Sequence, residues 1–379
     1  MTPETGKPAA LVFRKRLLAY SETFVANQGY ALRRHRPVFV GFQQDQGGLH
    51  HLDRADVCLL SDFARNVDLA RLPMRCGLPP PRAWTRALAA TKPRVVHTHF
   101  VSAAKPGRQI ADALGLPMIV TAHGNDVTNP LTAAFRRQLQ TAFGRCDRVI
   151  AVSGFIADRL AEAGCPDDKL IQHYMGIPLE QLDASPVPEE PVVLFVGRFV
   201  EKKGIAYLMR AMEQVRARHP NARLRLIGDG PLRESLVALD RELGLESEFL
   251  GVQPPQAVHA AMRSARVLAA PSVRTERDAE GLGMVFLEAQ ALGRPVAGFR
   301  SGGIGEAVSH GETALLSEER DVDALAADLG RVLGDPDLAQ SLGTAGAERV
   351  RRLFDIRRQT ELLEALYDEV VRQQSPASR

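Results

Sequence analysis

Residues 192–204 read VVLFVGRFVEKKG. Val192 to Val196 form a short unbroken apolar run, the signature of a strand buried on both faces. Gly197 and Arg198 stand at its carboxyl end, and Lys202, Lys203 and Gly204 open the next helix. The same strand–loop–helix unit recurs on both sides. Downstream, Leu224 to Ile227, Val267 to Ala270 and Pro295 to Ala297 read as strands with helices between them. Upstream, Leu11 to Phe13, Pro37 to Val40, Val95 to His97, Met118 to Val120 and Val149 to Val152 form a first series, with helical patterns such as 103–114 and 154–164. Alternation of this kind means a parallel sheet covered on both faces. Pro178, Pro186, Pro188 and Pro191 crowd the break between the series. The expectation is an α/β protein of two facing doubly wound, Rossmann-like domains with a cleft between them. Their bounds are 1–178 and 179–356, with a final helix, 357–379, returning to the first domain.

Size and composition agree with two domains. The 379 residues are 45% hydrophobic and 25% charged, which is ordinary for a globular chain. No apolar run approaches the ~20 residues of a membrane span, and the first residues lack a signal-peptide pattern. Cys58, Cys76, Cys146 and Cys165 have no metal-binding spacing and read as reduced thiols. Residues 1–175 hold 23 Lys/Arg against 14 Asp/Glu, and residues 176–379 hold 25 against 31. The basic half, with Arg14 to Arg16 and Arg33 to Arg36, suits an acceptor's phosphates or anionic lipid headgroups, unless it is simply a solvated face. Nucleic acid is not expected, because aromatics are few and do not interleave with the basic residues.

In open parallel sheets, ligands bind at the carboxyl ends of strands, and the chemically distinctive residues follow strands. Arg198 and Lys203 flank glycines where two cations suit a diphosphate. Gly228 follows Ile227, and His123 with Gly124 follows the strand at Val120. Glu280 and Glu288 bracket Gly281, Leu282 and Gly283 at the start of a helix. Free N–H groups at a helix N-terminus attract an anion, and the carboxylates can accept hydrogen bonds from hydroxyls on either side of it. A sugar nucleotide has that layout. The bland alternatives are surface charges and a packed loop histidine. His97 and His99 read as structural or cleft-lining, and the Asp321-Val322-Asp323 triplet reads as a helix cap rather than a metal site.

Taken together, Phe195 to Arg198 with Glu201 to Gly204, Ile227 to Pro231, and Glu280 to Glu288 continuing to Val296 resemble the donor domain of family 4 glycosyltransferases, retaining enzymes of the GT-B fold. Ser21 to Phe24, His97 to Phe100, Thr121 to Gly124 and Ala151 to Ser153 resemble the branch that builds bacterial exopolysaccharides, including colanic-acid-type transferases. The resemblance covers nearly the whole chain. It implies that Arg198 and Lys203 bind the donor diphosphate and that Glu288 holds the ribose. Glu280 would contact the donor sugar, with Gly281, Leu282 and Gly283 near sugar and phosphate, and His123 would reach the same sugar. Where many members carry a double glycine after the first strand, this chain has Ala19 to Thr23, leaving Ser21 and Glu22 as candidates for a polar contact.

The function expected is metal-independent transfer from a nucleotide-diphosphate sugar (a UDP-sugar first, GDP-mannose second). The acceptor expected is a glycan or polyprenyl-linked oligosaccharide, at a cytoplasmic location with peripheral contact to the inner membrane face. No cofactor or metal is expected. Another enzyme on the same fold, such as a nucleotide-sugar epimerase or a phosphorylase, and a non-catalytic nucleotide-sugar-binding protein remain alternatives.

Overall fold

The computed structural model describes residues 6–19, 22–45, 52–124, 126–180 and 182–374. It divides into two compact units, Met1–Gly176 with Ile356–Arg379, and Ile177–Asp355.

The first unit is built on a seven-stranded sheet ordered Val57–Leu59, Arg36–Gly41, Ala9–Phe13, Pro93–His99, Met118–Ala122, Arg148–Ala151, Leu170–Gln172. All its pairings are parallel. Ala9–Phe13 and Met118–Ala122 are buried along their whole length, as strands covered by helices on both faces must be. The chain first winds outward from Ala9–Phe13, then returns to pair Pro93–His99 on its other side. The carboxyl ends of these two strands are therefore a topological switch point, where open sheets bind ligands. The helix Ile356–Gln374 belongs to this unit. Its Leu363, Leu366, Tyr367 and Val370 pack with Ala10, Val95, Ile119 and Ile150. Glu364 accepts hydrogen bonds from the backbone N–H groups of Arg33, Arg34 and His35 at 3.2, 2.7 and 2.8 Å.

The strand Pro93–His99 takes in both His97, where the sequence pattern ends the strand, and His99 beyond it. Both are 1% exposed. Buried imidazoles stay in the ladder because their ring nitrogens find partners. His97 Nδ1 is 2.6 Å from the Tyr367 hydroxyl and His97 Nε2 is 2.7 Å from Thr121 Oγ1.

The second unit repeats the plan with six parallel strands, ordered Glu248–Gly251, Arg223–Ile227, Val192–Val196, Val267–Ala269, Val296–Phe299, Ala314–Ser317. Its switch point lies between the ends of Val192–Val196 and Val267–Ala269. Among the described residues, no helix is long and apolar enough to cross a membrane.

Candidate active site: a cation–carboxylate cluster at a switch point

Three loops meet at the switch point of the second unit. The first leaves Val196 through Gly197 and Arg198, passes a short 3-10 turn at Glu201–Lys203, and enters the helix Ile205–Arg218. Gly204 joins turn and helix at φ +64°, and a Cβ there would collide with the carbonyl oxygen of Pro271. Only glycine allows that approach, and it brings Lys203 beside the second loop. Gly228, at φ +133°, similarly lies against the carbonyl of Gly197. The second loop runs from Pro271 to Gly283. Its Val273 N–H donates to Lys202 O at 2.8 Å, and Lys202 Nζ pairs with Asp278 at 2.9 Å. The third loop follows Phe299, and its Gly303 N–H donates to Glu280 O at 2.9 Å.

These contacts place Lys203 Nζ 2.7 Å from Glu280 Oε2, with the Ser272 hydroxyl 3.4 Å from the same oxygen. Burial alone would raise the Glu280 pKa, but Lys203, Lys202 and the hydrogen bonds outweigh it and hold the carboxyl at about 2. It is a carboxylate at any working pH. Three residues on, Gly283 at φ +87° starts the helix Met284–Ala291, whose first N–H groups lack partners within the helix. Glu288 lies on this helix, and burial lifts its carboxyl to about 7. Among the described residues no ion pair reaches it. Arg198 is exposed and forms no ion pair among the described residues.

The sequence-predicted Arg198, Lys203, Gly228, Glu280, Gly281, Leu282, Gly283 and Glu288 thus all belong to the second unit, on loops at the carboxyl edge of its sheet and on the helix that follows. Lys203 is not a free cation, since Glu280 engages it. Asp321 caps a helix, its Oδ1 accepting from Ala324 N–H at 2.9 Å. Among the described residues, no group of three or more His, Cys, Asp or Glu is arranged to hold a metal ion.

His123 belongs to the first unit, at the end of Met118–Ala122. Its Nε2 is 2.9 Å from His99 Nδ1, and the two rings stack at 5.2 Å. Phe24 and Phe100 pack against it at 4.9 and 4.7 Å. Burial, with the charges of His97 and Arg14, lowers the His123 pKa to about 3, so the ring is neutral. Asp126 fixes the loop, accepting from His123 N–H and Gly124 N–H through Oδ1, both at 3.1 Å, and from Val101 N–H through Oδ2 at 2.7 Å. Ser21 lies outside the described residues. Glu22 precedes the helix Thr23–Tyr30 and is held by Arg14 at 2.8 Å. That pairing occupies the carboxylate that the sequence leaves open for a ligand. The sequence marks Arg14 only as part of the basic cluster Arg14 to Arg16, and Asp126 only as a charge just past a buried strand.

Comparison with known proteins converges on one class. Residues 22–181 match the family model described as Glycosyltransferase Family 4, and residues 180–349 match Glycosyl transferases group 1. The chain is 30% identical over 298 residues to the GDP-mannose-dependent alpha-(1-6)-phosphatidylinositol monomannoside mannosyltransferase of Mycolicibacterium smegmatis, covering 73% of this chain and 78% of that one. It is 32% identical over 241 residues to the putative colanic acid biosynthesis glycosyltransferase WcaL of Salmonella typhimurium, covering 62% and 59% respectively. Anabaena Alr3699/HepE, solved in complex with UDP and glucose, superposes with a TM-score of 0.75 at 18% identity over 96% of this chain and 100% of that one. The fold is therefore the GT-B fold of nucleotide-sugar-dependent glycosyltransferases. The chain belongs to glycosyltransferase family 4.

Proposed function

We propose that this protein transfers a sugar from a nucleotide-diphosphate sugar, with retention and without a metal ion, to a glycan or polyprenyl-linked acceptor in surface polysaccharide synthesis. The observation that carries the reading is the second unit's switch point. Glu280, paired with Lys203, stands three residues before a helix N-cap, and Glu288, on that helix, has no ion pair among the described residues. The relative named for colanic acid biosynthesis supports the surface-glycan setting.

In the reaction, the bond between the sugar's anomeric carbon and the β-phosphate oxygen breaks while the acceptor oxygen bonds to the same face of that carbon. The acceptor's proton passes to a donor phosphate oxygen. Negative charge grows on the diphosphate, where Arg198, Lys203 and the N–H groups after Gly281 supply positive potential without reorganising. That set makes a divalent ion unnecessary for the leaving group. Glu280, fixed as a carboxylate by Lys203, accepts hydrogen bonds from donor sugar hydroxyls. Glu288 accepts from the ribose hydroxyls. His123 keeps the role the resemblance gives it, a contact to the donor sugar. GDP-mannose is the first donor to test, because the relative 30% identical to this chain is named GDP-mannose-dependent; UDP-sugars come second. Incubating the protein with GDP-mannose or UDP-glucose, a polyprenyl-linked acceptor and EDTA tests the reading. An α-linked product is expected, and a β-linked product or full inhibition by EDTA overturns it.

A further inference from the structure

Beside Lys203 stands a second cation that none of these roles uses. Lys202 and Lys203 share the 3-10 turn Glu201–Lys203, and each takes a carboxylate from the loop that runs from Pro271 to Gly283. Lys202 Nζ lies 2.9 Å from Asp278 Oδ2, and Lys203 Nζ lies 2.7 Å from Glu280 Oε2. Two clasps thus stand side by side across the same pair of loops. Only the Lys203–Glu280 clasp is made of groups implied to touch the donor.

The Lys202–Asp278 clasp is shielded, its side chains 11% and 26% exposed. Asp278 Oδ1 is buried and has no hydrogen-bond partner among the described residues. A carboxylate in that setting leans on its cation, so breaking the pair costs more than it would on an open surface. The chain is stiff where the clasp grips it. Thr275 N–H donates to Asp278 O at 3.0 Å, and Asp278 N–H donates to Thr275 Oγ1 at 3.0 Å. Val273 N–H donates to Lys202 O at 2.8 Å. A further tie, from Arg274 Nε to Glu319 at 3.0 Å, has its Arg274 side chain 62% exposed, and exposed pairs hold little.

Donor binding acts on the other clasp. An ammonium has three N–H donors, and a diphosphate competes with Glu280 for those of Lys203. The grip on Glu280 weakens at the moment when Glu280 must meet the sugar. Lys202 keeps its own partner throughout. Against the burial that would raise the Glu280 pKa, it adds its charge to that of Lys203. We propose that Lys202 and Asp278 are positioning residues for the donor sugar, their clasp keeping the Glu280 carboxylate in register while the diphosphate draws on Lys203. Their assignment to the sugar rests on the donor site proposed above.

Calorimetric titration of the full chain with GDP, GDP-mannose, UDP and UDP-glucose tests the assignment. The proteins are wild type, Asp278→Asn, Asp278→Glu, Lys202→Gln and the double variant Lys202→Gln/Asp278→Asn. Asp278→Asn should bind the sugar nucleotide about tenfold more weakly than wild type does. It should bind the bare nucleotide as tightly or more tightly, because a negative charge near the diphosphate is gone. Asp278→Glu keeps the anion and should recover most of the loss. Lys202→Gln gives a second route should Asp278→Asn prove unstable: its affinity for the sugar nucleotide should fall about tenfold further than its affinity for the nucleotide. The double variant should lose no more than the larger single loss, since the two residues act as one clasp. Equal losses for nucleotide and sugar nucleotide, unchanged sugar-nucleotide binding, or additive losses in the double variant each overturn the assignment and leave the donor site standing. Failure of wild type to bind any nucleotide overturns the donor site and the clasp with it.

Discussion

Lys203 and Glu280, 77 residues apart in sequence, form an ion pair of 2.7 Å in which both side chains are largely shielded, at 16% and 14% exposure. The pair joins the cation implied for the diphosphate to the carboxylate implied for the sugar. Each therefore orients the other before any ligand arrives, which is the preorganisation that charge stabilisation in a transition state requires.

Removing one member strands the other. Lys203→Ala should cost roughly 1.5–3 kcal/mol of stability and reduce kcat/KM by about 10²–10³. A cycle with Glu280→Ala, read by denaturant melts and initial rates, should show coupling between the two sites. Additive effects would mean that the pair contributes nothing as a unit.

The pair also sets a pH dependence. The folded Glu280 pKa of about 2 lies below its ordinary 4.5. Its contribution is present above that ordinary value and is lost as pH falls from 4.5 toward 2. Thermal midpoints of wild type should fall across this window more steeply than those of Lys203→Ala.

Glu288 behaves in the opposite sense. Burial raises its carboxyl from 4.5 to about 7, so ligand-free stability declines as pH rises through that interval. Glu288→Gln should flatten the decline and leave the ligand-free protein more stable at pH 8, while weakening donor binding about tenfold or more. A variant that lost stability at pH 8 would contradict the assignment of burial as the cause.

His123 stays neutral across the working range because its pKa is about 3. His123 should therefore add no inflection near pH 6.5, and the one that Glu288 sets near pH 7 should vanish in Glu288→Gln. His99→Phe keeps a ring of similar size but removes the 2.9 Å contact to His123 Nε2. It should lower kcat by about tenfold or more with little change in donor KM, as expected when a positioned group loses its orienting partner.

Much of the fold was legible because its central strands are continuous apolar runs, such as Val192–Val196 and Met118–Ala122, and because helices separate them. The edge strands were not. Glu248–Gly251 is half-exposed, and Val57–Leu59 is three residues long beside Asp53, Arg54 and Asp56. Neither has enough buried surface to leave a period. At the site, the strand-end rule marked Arg198 and Lys203, and the spacing around Gly281 to Gly283 marked Glu280 and Glu288, one at a time. Neither could show that Glu280 takes Lys203 as its partner and that Glu288 has no ion pair among the described residues, because pairing across loops depends on contacts such as Gly204 against Pro271. His99 falls beyond the strand read from Val95 to His97 because the partner that lets its imidazole remain in the ladder, His123, lies elsewhere in the sequence.

The donor site is tested most directly by thermal shift of wild type, Lys203→Ala and Glu288→Gln against GDP, UDP, ADP and their sugars. A ligand bound only to the folded state at 100 times its dissociation constant adds ~2.7 kcal/mol. One nucleotide series should raise the wild-type midpoint by several degrees, and both variants should lose most of that rise. No shift of wild type by any nucleotide at millimolar concentration, or equal shifts in all three proteins, would contradict the placement of the donor at the Lys203–Glu280 pair.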